Sequence, residues 1–274
     1  MKGGILWVLA LAVAGGGSAL AAISNTKHNL GTTGTGANHV TSGTDELCVF
    51  CHTPHAANTS VAAPLWNKNT PSNTYTTYAS TTIDGETNQP GSVSLACLSC
   101  HDGTQAMDNI INAPGSGGLT ADGGGADGLS YTWASGGTID AGGFGRLDAT
   151  IANLGVDLSN DHPISIQYGG GGVTGCSSST TTPGSGTGTL QDVDFNATSC
   201  AQIGAQTVWW VDTSAGTAAR EKTDMILYTR SDFSGAAQEP SVECASCHDP
   251  HSENATFLRV ANTGSAVCLA CHDK

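Results

Sequence analysis

The chain has 274 residues and a formal net charge of −14 at pH 7. An acidic surface argues against nucleic acid and anionic membranes as partners, while it permits basic redox partners or metal cations. Only 48 residues are Leu, Ile, Val or Phe and 37 are glycine, a composition typical of chains that cannot build an apolar core from their own side chains.

The first 22 residues predict a signal peptide. An apolar run over residues 5–14 follows Met1-Lys2, and Ala19-Leu20-Ala21 fits a small-residue cleavage site. The alternative is an uncleaved anchor, but the run is short for a bilayer and little positive charge flanks it. No cysteine before Cys48 offers a thiol for lipid attachment. We expect an exported protein, extracellular or at the cell surface, with the periplasm as the alternative and no second membrane segment.

Four copies of the pattern Cys-x-x-Cys-His contain eight of the ten cysteines. In this pattern two thiols bond covalently to the two vinyl groups of a haem, and the histidine binds the iron as its proximal ligand. One copy alone is also compatible with a redox CxxC pair or half of a zinc site, but four copies are not. The pattern predicts four covalently bound haem c groups on Cys48, Cys51, Cys97, Cys100, Cys244, Cys247, Cys268 and Cys271, with proximal histidines His52, His101, His248 and His272.

The two remaining cysteines, Cys176 and Cys200, are most simply a disulfide in an oxidising compartment. For a loop of this length the chain-entropy model gives about 3–4 kcal/mol of stabilisation. Two free thiols, or a metal clip without obvious partners, are the alternatives.

The motifs divide the mature chain into three regions. We predict an N-terminal two-haem module over residues 23–112, a middle region rich in Gly, Ser and Thr over residues 113–235, and a C-terminal two-haem module over residues 236–274. Glycine runs in the middle region favour turns, whereas the β-branched and aromatic residues 206–211 and 225–229 predict strands.

The predicted fold is a multihaem c-type cytochrome that is mostly coil, with short helices, a few β-strands and a core dominated by haem. Thr44 predicts the cap of a short helix entering the first motif, and single helical turns are expected at the others. Because haem rings would supply the missing apolar surface, folding should depend on haem loading. Four aspartates among glycines lack the spacing of a calcium loop and predict solvated loop instead: Asp122, Asp127, Asp140 and Asp148.

Four haem irons have eight axial positions, and the nine histidines are enough to fill all of them. A haem with an open face can bind a substrate, whereas one with two protein ligands passes electrons. Met107 and Met225 could compete as ligands, and methionine ligation would raise the potential. We predict bis-histidine coordination with the distal ligands His28, His55, His162 and His251, and with His39 as a spare.

His55 and His251 each follow a proximal histidine by three residues, with a proline just before them. So short and stiff a turn does not carry a histidine to the far face of its own haem. Each is therefore expected to serve a neighbouring haem, which requires the haems to lie close together.

Several segments together resemble tetrahaem cytochromes with doubled CxxCH motifs, most of all the OmcE-type cytochromes that polymerise into extracellular filaments in metal-reducing bacteria. The segments are Lys27-His28-Asn29-Leu30, the first motif extended to Pro54-His55, residues 157–163 and the C-terminal motif pair. The glycine-rich middle carries no resemblance. The resemblance implies bis-histidine haems, little regular secondary structure and a distal ligand donated by an adjacent subunit, here His28 or His39. A head-to-tail contact that does not close gives a filament.

We therefore expect extracellular electron transfer by a tetrahaem cytochrome polymerised into a conductive filament, and not an enzyme. Its expected partners are other copies of itself, redox partner cytochromes and extracellular electron acceptors, with no nucleic acid and no membrane. The alternatives are a discrete periplasmic tetrahaem electron carrier and, less favoured, a multihaem reductase.

Overall fold

The computed structural model describes residues 23–114, 128–129, 131–134, 142–179, 182–214, 219–234 and 238–273. The predicted signal peptide, residues 1–22, lies outside these ranges, as do Asp122, Asp127 and Asp140. None of the helices within these ranges is long and apolar enough to cross a membrane.

The main feature is a seven-stranded antiparallel sheet curled into half a barrel. Its strands are β3 (Ile166–Gln167), β4 (Val173–Cys176), β5 (Gly184–Gly188), β6 (Ser199–Ile203), β7 (Gln206–Val211), β8 (Met225–Arg230) and β9 (Glu239–Val242). Their order across the sheet is β3-β9-β8-β7-β6-β5-β4. A separate two-stranded sheet pairs β1 (Val40–Ser42) with β2 (Thr132–Trp133). The prediction of a mostly coil fold with a haem-dominated core is therefore wrong.

The larger sheet builds its own apolar core, which is why the argument from composition fails. Tyr168, Val173, Trp209, Met225 and Leu227 pack together there, and each is at most 4 % exposed. A buried aromatic side chain removes far more apolar area from water than one aliphatic residue does. A few aromatic side chains therefore offset the shortage of Leu, Ile and Val.

Two predicted strands are confirmed, and the other seven were not located from the sequence. Residues 206–211 and 225–229 form β7 and most of β8, with Trp209 opposite Leu227. The least expected of the seven is β5, whose sequence is Gly-Ser-Gly-Thr-Gly. A Cβ atom at Gly186 would collide with the side chains of Val173 and Thr198. Glycine there lets β5 lie close over the core between β4 and β6.

The predicted disulfide between Cys176 and Cys200 is confirmed, with Cα atoms 5.9 Å apart. Cys176 ends β4 and Cys200 lies in β6, so the bridge joins the two strands on either side of β5. The glycine-rich strand is thereby held between covalently linked neighbours.

The α-helices are short and coincide with haem motifs. They are α1 (Ser92–His101), α2 (Cys244–Cys247) and α3 (Ala266–Leu269), and single 3-10 turns lie at Tyr168–Gly170, Ala255–Phe257 and Thr263–Ser265. The helix predicted ahead of the first motif is not formed. Thr44 Oγ1 instead accepts a hydrogen bond from the amide of Glu46 (3.0 Å), a local turn that competes with a helix.

Candidate haem-binding sites

Each Cys-x-x-Cys-His segment closes one helical turn. The histidine amide donates to the carbonyl of the first cysteine from His52 to Cys48 (2.7 Å), from His248 to Cys244 (3.1 Å) and from His272 to Cys268 (2.9 Å). The second motif makes the same turn at the end of α1. Residues three and four apart in a helix share one side, so both thiols and the imidazole can face one haem. All eight motif cysteines are free, as covalent attachment requires.

Three proximal histidines are already oriented as metal ligands. The Nδ1 atoms of His52, His101 and His248 lie 2.6, 2.7 and 2.8 Å from backbone carbonyl oxygens of Pro64, Ala152 and Thr256. A carbonyl only accepts, so Nδ1 carries the proton and Nε2 presents its lone pair. Second hydrogen bonds of this kind fix the ring of a metal-binding histidine. The ring of His272, the fourth proximal histidine, lies 4.3 Å from that of Phe195.

Two predicted distal histidines lie across from predicted proximal ones. The ring centres of His52 and His251 are 6.2 Å apart with ring planes 12° from parallel. Those of His101 and His28 are also 6.2 Å apart, with planes at 63°. An axial nitrogen lies about 2 Å from a metal and its ring centre roughly 1.2 Å beyond, so two imidazoles on one iron have centres about 6–6.5 Å apart. The first and second sites thus fit bis-histidine haem.

His28 is prepared to act as a neutral ligand. Its ring stacks on Phe257 at 4.1 Å, and its Nδ1 lies 3.4 Å from the carbonyl oxygen of Pro250. Burial, followed by repulsion from His101, lowers the pKa of His28 to about 4. The imidazole therefore stays uncharged at neutral pH, the form that binds a metal.

The other three spare histidines have no partner imidazole among the ring contacts of the described residues. His39 is half-buried with its Nδ1 2.7 Å from the Gly36 carbonyl oxygen, whereas His55 and His162 are exposed. Their roles stay predictions. Met225 is fully buried in the core of the larger sheet, and Met107 packs in the cluster of Leu30, Val40, Phe50, Met107, Trp133 and Leu147, which we call the first-motif cluster.

Consecutive motifs are neighbours in space. Cys51 and Cys100, of the first and second motifs, pack against the first-motif cluster. The Cys97 thiol of the second motif interacts with the Cys244 thiol of the third, and this interaction together with burial raises the pKa of Cys97. The partly buried cysteines that pack on the core of the larger sheet include Cys247 of the third motif and Cys271 of the fourth. The chain therefore lays its four motifs side by side in sequence order.

Glu243, one residue before the third motif, connects the second and third sites through hydrogen bonds of its side chain. Its side chain is 1 % exposed. Its Oε2 accepts hydrogen bonds from Ser94 Oγ in α1 (2.5 Å) and Ser165 Oγ (3.0 Å), and its Oε1 accepts from Arg230 Nη1 (2.9 Å). Ser94 Oγ also accepts from the amide of Cys244 (3.0 Å). The carboxylate thus joins two helices that carry haem motifs.

Sequence reasoning did not single out Glu243, Lys68 or Asp102. All three are at most 3 % exposed, although a charged residue in a sequence predicts a surface position. The available signal was position, because Asp102 directly follows the second motif and Glu243 directly precedes the third. Lys68 carries no such signal.

The doubled CXXCH motif family matches residues 237–274, which contain the third and fourth motifs. No curated protein matches the chain. The family match indicates covalently bound haem c in a multihaem c-type cytochrome that takes part in electron transfer. Four haems and the likeness to OmcE-type cytochromes stay predictions.

Proposed function

We propose that the chain is a tetrahaem cytochrome that passes electrons outside the cytoplasm, along filaments made of its own copies. The observation that carries this proposal is the pair of imidazole couples, His52 with His251 and His101 with His28, each with ring centres 6.2 Å apart. When bound, haem c supplies one-electron iron chemistry, while the protein supplies ligands, orientation and electrostatics.

The coordination supports electron transfer over catalysis. If the first and second motifs hold haem, His251 and His28 would occupy the positions from which a substrate would approach the iron. Two haems remain, with His248 and His272 as proximal ligands, and His39, His55 and His162 are enough to close both. An iron with two imidazole ligands has no free position for a nitrogen or oxygen substrate, so a reductase is disfavoured.

We assign His39 as the ligand donated to a neighbouring subunit. His28, the other candidate from sequence, faces His101 of its own chain. His39 has its Nδ1 on the Gly36 carbonyl, the same preparation that three proximal histidines show, and its ring faces no imidazole among the described residues. It would close the haem of His248 or His272 in the next copy, and His55 or His162 would close the other.

Substitution of His39 tests the filament. Electron microscopy of extracellular material should show filaments for the natural chain and for the control Asn38→Ala, whereas His39→Ala should give separate subunits. Haem content by mass should be four in all three proteins. In His39→Ala one ferric haem should become high-spin, and added imidazole should return it to low-spin without restoring filaments.

Other results would redirect the proposal. Filaments from His39→Ala would remove His39 as the donor. Separate tetrahaem subunits from the natural chain would leave the discrete periplasmic carrier as the better description. A high-spin haem in the natural protein would favour a reductase. Redox partner cytochromes and extracellular acceptors remain the partners we expect.

A further inference from the structure

Lys68 is a cation sealed inside the protein without a carboxylate partner. It is 0 % exposed, and its Nζ donates to the carbonyl oxygens of Ala106 (3.1 Å), Met107 (3.0 Å) and Asn109 (3.3 Å). None of the ion pairs between described residues includes it. Carbonyl dipoles satisfy the three ammonium protons but leave the positive charge in place. The buried Asp108 carboxyl is near enough for its charge to interact with Lys68, but the two groups form none of the ion pairs between described residues.

This charge lies beside the first haem motif. The amide of Asn67 donates to the Cys51 carbonyl oxygen at 2.9 Å, and the Trp66 ring lies 6.3 Å edge-on from the His52 ring. Residues 66–68 therefore run along the motif. The Lys68 ammonium also acts on the Cys51 thiol through its charge.

At the second motif the buried charge is negative and is carried by Asp102. It directly follows His101 and is 3 % exposed. Its carboxylate accepts hydrogen bonds from Tyr75 Oη (2.7 Å), from Asn73 Nδ2 (2.9 Å), and from the Thr104 amide (2.9 Å) and Oγ1 (2.8 Å). All these donors are neutral, and none of the ion pairs in the described ranges involves Asp102. Its negative charge is therefore stabilised but not cancelled.

We propose that these two buried charges separate the reduction potentials of the first two haems: Lys68 raises the potential of the haem on Cys48 and Cys51, and Asp102 lowers that of the haem on Cys97 and Cys100. The inference rests on the proposed function in requiring a haem at each motif. A ferric haem carries one more positive charge than a ferrous one. A buried cation therefore favours the ferrous state and a buried anion the ferric state, with little screening by water or salt.

The two haems can be told apart by the angle between their axial rings. Near-parallel imidazole planes, as in His52 with His251 at 12°, give rhombic low-spin ferric EPR spectra. Strongly crossed planes, as in His101 with His28 at 63°, give highly anisotropic ones. A redox titration of the intact holoprotein followed by EPR thus follows the first haem among the rhombic signals and the second among the anisotropic ones.

Lys68→Met should lower the potential of the rhombic signal alone, while Lys68→Arg, which keeps the charge, should leave it near its natural value. Asp102→Asn, which keeps the shape, should raise the potential of the anisotropic signal alone. The exposed control Asp148→Asn should move neither signal, because water screens its charge.

The outcomes separate this inference from the proposed function. Haem content by mass is measured on every variant, and fewer than four haems in the natural protein contradicts the tetrahaem proposal instead. Four haems with an unmoved anisotropic signal in Asp102→Asn overturn the inference. So does an equal shift of all haems in either variant. If Lys68→Met does not fold, Asp102→Asn decides the outcome alone.

Discussion

Glu243 carries a negative charge almost out of contact with water, and the charge is stable only because its partners surround it. Arg230 and the hydroxyls of Ser94, Ser165 and Ser241 all donate to it. Removing one member of a buried ion pair leaves the other without compensation in the interior. The Arg230 side chain is itself only 10 % exposed.

We expect Glu243→Ala to lower the free energy of unfolding by about 3–5 kcal/mol, because Arg230 and Ser94 lose their buried acceptor. The matched control is Asp232→Asn, which removes the other carboxylate bound to Arg230. Asp232 is 54 % exposed, and exposed ion pairs contribute at most about 1 kcal/mol. Denaturant unfolding of the holoprotein measures both variants. Equal losses of unfolding free energy in the two variants would show that burial of Glu243 does not determine its contribution to stability.

At the scale of single residues, the sequence predicts a role only where that role follows from local spacing. The thiols and proximal histidines of the four motifs are readable because attachment needs them within five residues. Glu243, Lys68 and Asp102 could not be read in the same way. Their burial depends on segments far away in the chain, such as Arg230 against Glu243 and Met107 against Lys68.

Among the elements, the loop containing Gly143 and Gly145 packs on the first-motif cluster. Both glycines have left-handed backbone, with φ of +74° and +73°. A Cβ atom at Gly143 would meet nothing within 4 Å, whereas one at Gly145 would collide with the Trp133 indole. Trp133 in turn lies 6.3 Å from the Phe50 ring inside the first haem motif.

Alanine at either position tests that packing. Both variants lose about 1–2 kcal/mol of unfolding free energy, because alanine is strained in the left-handed region. Gly145→Ala should lose roughly 1–3 kcal/mol more, because the indole must move out of a packed cluster. Denaturant unfolding measures the difference between the two variants, and no difference would mean that the indole moves freely.

The elements also show where sequence patterns stop being informative. β7 and β8 were predictable because both are rich in β-branched and aromatic residues, which fit a pleated, half-buried surface. β5 was not, because Gly-Ser-Gly-Thr-Gly is a turn signal when read alone. It becomes a strand because two neighbours pair with its backbone and leave no room for side chains at Gly186.

At the scale of the whole molecule, the apolar core of the larger sheet changes the effect that loss of haem should have on folding. The sequence predicted a fold that depends on haem throughout, but Trp209, Val211, Met225 and Leu227 pack on one another within the strands. Apart from two helical residues at 23–24, the helices and strands in the described part of residues 23–134 are β1, β2 and α1. The two parts should therefore respond differently to removal of the cofactor.

We expect a chain with all eight motif cysteines changed to alanine to keep β6, β7 and β8 while residues 23–114 unfold. The reason is that the sheet retains its aromatic core and its disulfide, whereas the first region loses its haems. Amide hydrogen exchange followed by mass spectrometry measures this, with slow exchange expected in the three strands alone. Uniformly fast exchange would contradict an independently stable sheet.

The Cys97 and Cys244 thiols are near enough to influence each other's pKa, which bears on the order of haem attachment and folding. Two neighbouring thiols that lose two electrons and two protons to a thiol oxidant become a disulfide. That disulfide would use one attachment thiol of the second motif and one of the third. A chain that folded and oxidised before haem attachment could then no longer bind haem through both thiols at either motif. We therefore expect haem attachment to precede folding of this part of the chain. Once both sulfurs are thioethers to haem, folding can bring them together without forming a disulfide.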